Sequence, residues 1–179
     1  MGENAYRRLL EILDRGEGAV LASVHPGGDG ATRRLCLSAT ELQPGAEASS
    51  LDRALFDECR SALDDGALRW SPGEAGSWRL IEPFDPEPRL VILGGGHVAL
   101  PLVELGSMMG FRVTVCDDRP SFANQARFPK AERVICEYFG TFLDRHALNP
   151  STYVAILTRG HRHDMECYRR LARRDLAYI

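Results

Sequence analysis

The chain has 179 residues, room for one large or two small domains, with 44% apolar and 26% charged side chains. Its formal net charge is −3 and it carries no basic block, which argues against phosphate-driven binding of nucleic acid. No run approaches the roughly 20 apolar residues of a membrane span, and Met-Gly-Glu-Asn is no signal-peptide start.

Residues 5–13 place Leu9, Leu10, Ile12 and Leu13 at helical spacing, and Gly16 and Gly18 end that helix. Residues 19–24 read as a buried strand, 25–30 as a turn cluster, 35–37 as a second strand and 44–50 as a loop. A helix is expected over 51–63, with Ser50 as its N-cap. Residues 68–70 and 78–81 read as paired strands joined by 71–76, which completes a small α+β domain over residues 1–82. The segment 83–88 holds Pro83, Pro86 and Pro88. It is expected to be a stiff, extended linker, unable to join a central strand.

Beyond it, strands and helices alternate. Residues 89–93 form the first strand, and an amphipathic helix follows over about 98–109, stopped by Gly110. Pro101 calls for a late helix start or a local distortion. Residues 111–117, 133–136 and 153–158 are further strands, the last all apolar, as in strands covered on both faces. A helix is expected over 164–173, and residues 177–179 begin another strand, an open edge that invites pairing with a second chain. The cysteines are Cys36, Cys59, Cys116, Cys136 and Cys167, an odd number with no Cys-x-x-Cys, read as reduced thiols in a cytoplasmic protein. Cys116 and Cys136 each close a strand, where burial as small hydrophobes is expected.

The strand at 89–93 runs into Gly94-Gly95-Gly96-His97-Val98-Ala99, a Gly-x-Gly-x-x-Ala turn opening a helix. Such a turn holds a diphosphate against a helix N-terminus. Gly94 permits the turn, Gly96 the close approach of phosphate, and Ala99 the packing of helix on strand. The next strand ends in Asp117, roughly 20 residues on, where an acid grips ribose hydroxyls. Asp118 and Arg119 follow; a carboxylate there favours NAD, whereas Arg119 could accept the 2′-phosphate of NADP or pair with the aspartates. His97 lies inside the turn and faces the ligand. Thr158-Arg159-Gly160-His161-Arg162-His163-Asp164 follows the fourth strand and should share the same crevice. His161, His163 and Asp164 suit a metal by type; they suit an anion too, with Arg159 and Arg162 adding charge. The bland alternative makes Asp164 a helix cap and the histidines solvated.

The segments 90–99, 113–120, Phe122-Ala123-Asn124, Arg127-Phe128-Pro129 and 158–164 occur in an order that resembles the XdhC/CoxI family. These are accessory proteins of xanthine dehydrogenase and related molybdenum hydroxylases. The resemblance covers residues 89–179 and implies an α/β fold with a Rossmann-like parallel sheet behind the small α+β domain. It implies a protein that binds the molybdenum cofactor, as molybdopterin or its dinucleotide, supports its sulfuration by a cysteine desulfurase and delivers it to the hydroxylase apoenzyme. The residues it assigns to the cofactor are Gly94, Gly95, Gly96, His97, Val98, Asp117, Asp118, Arg119, Thr158, His161, His163 and Asp164. Two departures stand out. The family's first-domain motifs are matched only by a degenerate Gly28-Asp29-Gly30, and the family continues beyond residue 179, so the second half of the sheet is expected to be incomplete. An NAD(P)-dependent oxidoreductase, with His97 or His161 as acid or base, and a non-catalytic scaffold that self-associates are the two rival readings.

Overall fold

The computed structural model describes residues 4–43 and 52–179. Ser50 and the loop at 44–50 lie outside the described residues, as does the side chain of Arg162. The chain divides into two compact units, Met1–Pro86 and Glu87–Ile179.

The first unit is an antiparallel sheet in the order β2-β1-β4-β3, formed by β1 (Ala19–His25), β2 (Arg33–Ser38), β3 (Arg69–Pro72) and β4 (Trp78–Phe84). The apolar run of β1 is explained by coverage on both faces. Ala19 and Leu21 pack with Leu9 and Ile12 of helix α1 (Ala5–Asp14). Val20 and Ala22, pointing the other way, pack with Leu55, Phe56 and Cys59 of helix α2 (Arg53–Asp65). Helix α2 starts later than expected: Asp52 is its N-cap, its side chain accepting from the Ala54 amide, and Gly66 closes it at φ +67°. The proline segment also differs from expectation. β4 lies inside the sheet and runs on through Pro83, which pairs with Val20. Proline is tolerated because β3 pairs only as far as Ile81, so the strand is an edge on that side at Pro83.

The second unit is a parallel sheet in the order β7-β6-β5-β8, formed by β5 (Arg89–Leu93), β6 (Arg112–Asp117), β7 (Arg133–Cys136) and β8 (Thr152–Ile156). Side-chain alternation again decides the layers. Leu90 and Ile92 meet Ala99 and Val103 of α3 (Ala99–Met108), while Val91 and Leu93 meet Phe139 and Phe142 of α4 (Phe139–Arg145) and Leu171 of α5 (His161–Leu171). Pro101 is the third residue of α3, so its missing N–H falls among the first four that have no acceptor within the helix. Gly110 ends that segment at φ +84°.

The structure corrects four further expectations. Helix α3 is not amphipathic: Val103 is buried, yet Leu105 and Met108 are exposed. β8 is covered unevenly on its two faces: Val154 is buried against α4 and α5, whereas Tyr153 on the other face is exposed; the strand stands at the edge of the sheet, where among the described residues a parallel bridge joins it to Tyr178. Cys136 is exposed, unlike the other four cysteines, because it ends the outermost strand β7. Helix α5 begins at His161 rather than 164. No helix among the described residues is long and apolar enough to cross a membrane.

Candidate functional site at the glycine turn

Within the second unit the chain reverses direction across the sheet between β5 and β8, the place where open α/β sheets bind ligands. Both connections leaving these strands are pinned there. The Leu157 amide donates to Leu93 O at 2.8 Å, and the Gly94 amide to Cys116 O at 2.7 Å. Gly94 turns at φ +119°, and a Cβ built on it would lie 2.2 Å from Leu157 O. A Cβ on Gly95 would lie 2.4 Å from Phe122 O. Gly96 differs from both, since a Cβ there meets nothing within 4 Å. Two of the three glycines are therefore demanded by packing, and the third faces open space.

That space is a cavity of about 510 Å³, within the range of small-molecule sites. Gly96, His97 and Val98 form one wall; Thr158 and Arg159 form the wall after β8; Arg119, Phe122 and Arg127 close it from the loop after β6. Of the expected cofactor residues, Gly96, His97, Val98, Arg119 and Thr158 reach the cavity, while Gly94, Gly95, Asp117, Asp118, His161, His163 and Asp164 do not.

Asp117 is 1% exposed and its carboxylate is fully engaged. Oδ2 accepts from the Gly95 amide at 2.8 Å and from Arg119 Nη2 at 3.0 Å. Oδ1 accepts from the Arg119 amide at 3.0 Å and Arg119 Nε at 2.9 Å. Burial alone would raise this carboxyl's pKa; the Arg119 and Gly95 hydrogen bonds outweigh it and hold it below the ordinary value. The same bonds raise the Arg119 guanidinium. Asp118 accepts from Arg159 Nη2 at 2.9 Å. Arg127 donates from Nε to Gly95 O at 3.0 Å and has no acidic partner among the described residues. Gly95 is thus held at both ends, its N–H by Asp117 and its carbonyl by Arg127. Two cations approach the Phe122 ring, Arg119 at 3.6 Å and Arg127 at 5.3 Å from its centre.

The other expected residues serve nearby structure. Asp164, in the first turn of α5, accepts from the Thr158 hydroxyl and so fixes the wall after β8. His163 sits edge-on to Phe139 and Tyr138, its Nδ1 buried without a hydrogen-bond partner. His161 is exposed. Among the described residues no group of three His, Cys, Asp or Glu side chains converges as a metal site. Arg127 and Phe122 line the cavity although sequence reasoning assigns neither a role; both stand in the motifs that carry the resemblance. A cation in the irregular loop between β6 and β7 has no periodicity to mark it.

The XdhC Rossmann domain family model matches residues 90–179, half of the chain. The chain belongs to this family. It is 31% identical over 99 residues to a Bacillus subtilis protein named as a probable subunit of xanthine dehydrogenase, covering 55% of this chain and 30% of that one. It is 28% identical over 93 residues to Escherichia coli uncharacterized protein YqeB, covering 51% of this chain and 17% of that one. The chain therefore spans under a third of either curated relative. A crystal structure titled as a xanthine dehydrogenase from Bacillus halodurans shares the fold, with a TM-score of 0.56 at 20% identity over 96% of this chain and 77% of that one. The XdhC-type matched region holds the whole cavity, since its lining residues run from Gly96 to Arg159.

Proposed function

We propose that this chain is an accessory protein for molybdenum hydroxylases of the xanthine dehydrogenase type, and that the cavity receives the molybdenum cofactor as cargo by its phosphate. Membership of the XdhC family and the names of the relatives support the hydroxylase link. The observation that carries the cofactor reading is the cavity's composition. A glycine with open space before it stands at a helix N-terminus, with Arg119, Arg127 and Arg159 on the facing walls. The donor set fits a phosphate-bearing molecule. Arg127 would hold the anion, Gly96 would let it approach the backbone, and Thr158 and His97 would contact the rest. The bound cofactor supplies the metal and dithiolene chemistry that the hydroxylase uses.

Sulfuration in this reading draws its sulfur from a separate cysteine desulfurase. Three of the chain's thiols are poor carriers: burial pushes the Cys116 thiol up to about 12 and those of Cys59 and Cys167 to about 11. The test is mass spectrometry of small molecules retained by the chain purified from cells that make the cofactor. Recovery of molybdopterin or its dinucleotide from the wild type, and its loss from Gly96→Asp, is expected. Equal recovery from both would sink the proposal. Self-association is a second reading, favoured by the exposed Tyr153, Tyr168 and Tyr178 at the β8 edge; a clean monomer by light scattering refutes it.

A further inference from the structure

In nucleotide-binding sheets of this kind, the acid ending the second strand takes the two ribose hydroxyls of a dinucleotide. That task needs carboxylate oxygens with free lone pairs at the cavity surface. Asp117 occupies the position, at the end of β6, and offers neither. It is 1% exposed, and four N–H donors fill its two oxygens. Three of those donors come from Arg119, whose side chain lies between Asp117 and the cavity that it lines. Arg119 is clamped in turn, its guanidinium 3.6 Å over the Phe122 ring. The neighbouring acid gives no substitute. Asp118 Oδ2 is held by Arg159 at 2.9 Å; its Oδ1 has no hydrogen-bond partner but is buried, 3.9 Å from Arg119 Nε, and Asp118 does not line the cavity.

The charge balance points the same way. Arg119 is matched by Asp117 and Arg159 by Asp118, which leaves Arg127 as the cavity cation with no acidic partner among the described residues. Its Nε is spent on Gly95 O, so the guanidinium is anchored beside the turn. The cavity thus combines a place for a phosphate with no carboxylate in its lining to meet a diol.

We infer that the ribose subsite of this fold is closed in this chain, with Asp117 a positioning residue for the glycine turn and Arg119, and that the cavity takes ligands by their phosphate without recognising an attached ribose. This rests on the anion-binding part of the functional reading above, and it goes further by separating a phosphate-anchored ligand from a dinucleotide of the NAD type. It makes Arg119 the gate. Removing its side chain uncovers Asp117 and frees two acceptor positions, while the Gly95 amide and the backbone amide of residue 119 keep the carboxylate in place.

Calorimetric titration of the full chain with inorganic pyrophosphate, ADP-ribose and NAD tests this. In the wild type, pyrophosphate binds, and ADP-ribose and NAD bind within about threefold of it. In Arg119→Ala both anions weaken together through the lost cation, yet ADP-ribose gains roughly tenfold relative to pyrophosphate, the worth of one hydrogen-bonded charged group. A ratio cancels general loss of anion affinity, which a purely structural role for Arg119 would produce. Arg119→Lys, which keeps the charge and loses the fork, supplies the same ratio if the alanine variant does not fold. A wild-type preference of tenfold or more for ADP-ribose overturns the inference. So does an unchanged ratio in both variants, and so does the failure of pyrophosphate to bind at millimolar concentration. Absence of molybdenum cofactor alongside the expected ratios would refute the accessory role and leave the closed subsite standing.

Discussion

Asp117→Asn isolates the knot beneath the glycine turn. The substitution keeps the shape and one acceptor oxygen, and replaces the other oxygen by an NH2 group that faces N–H donors. If the amide oxygen stays toward Arg119, the buried Gly95 amide is left without an acceptor, at a cost of about 1–3 kcal/mol. If it turns toward Gly95, the bidentate contact with Arg119 is lost; Arg119 is 30% exposed and rehydrates in part, which limits that cost to about 1–2 kcal/mol. Loss of the carboxylate charge weakens whichever bonds survive. The destabilisation at pH 7 is therefore about 2–3 kcal/mol. Its pH dependence follows from the sign of the shift. Asp117 has a lowered pKa in the folded chain, so its contribution is present above the unfolded carboxyl value of about 4 and is lost as pH falls through the lower folded value. Urea unfolding followed by circular dichroism at pH 7 and at pH 3 measures it: the wild type leads by about 2–3 kcal/mol at pH 7, and the gap narrows at pH 3. A gap of the same size at both values, or none at pH 7, refutes the reasoning.

The glycines of the turn should separate by role. Gly94→Ala combines a left-handed backbone, worth about 1–3 kcal/mol, with a Cβ placed 2.2 Å from Leu157 O, and should unfold the second unit or lower its melting temperature sharply. Gly96→Ala, with nothing within 4 Å of the new Cβ, should melt within a few degrees of wild type and yet bind pyrophosphate more weakly. Arg127→Ala should cost about tenfold in pyrophosphate affinity at low salt, and the difference from wild type should shrink as ionic strength rises; a salt-independent difference would mean that Arg127 acts through the backbone of the turn alone. Brief iodoacetamide treatment of the native chain, read by peptide mass mapping, should label Cys136 and spare Cys36, Cys59, Cys116 and Cys167, which are buried.

The parallel sheet was legible because its strands are short runs rich in apolar residues, the first of them bounded by Pro88 and Gly94. The glycine turn was legible because its spacing follows an apolar strand and opens a helix. What escaped the sequence lacked periodicity or depended on a distant neighbour. Helix α4 is short and starts without a side-chain cap. It exists because Phe139, Phe142 and Leu143 are buried against Leu93 and Cys116, a tertiary cause that no local propensity records. Pro83 looked disqualifying for an inner strand because sequence does not show that β3 stops short of it. Asp117 stood in the right place for ribose, and only the position of the Arg119 side chain shows that its oxygens are taken. The edge status of β8 was hidden for a similar reason, since an apolar run does not say on which sides it is covered.

β5 pairs from Arg89 both with Arg112 on β6 and with Thr152 on β8. The first partner is near in the chain and the second is far, beyond β7 and α4. Closing the long loop costs more entropy and is rewarded only once the intervening elements are in place, so the β5–β8 pairing belongs to the late part of the folding sequence. The wall of Thr158 and Arg159 arrives with that step. A growing polypeptide therefore displays its glycine turn well before the wall of Thr158 and Arg159 that completes the cavity.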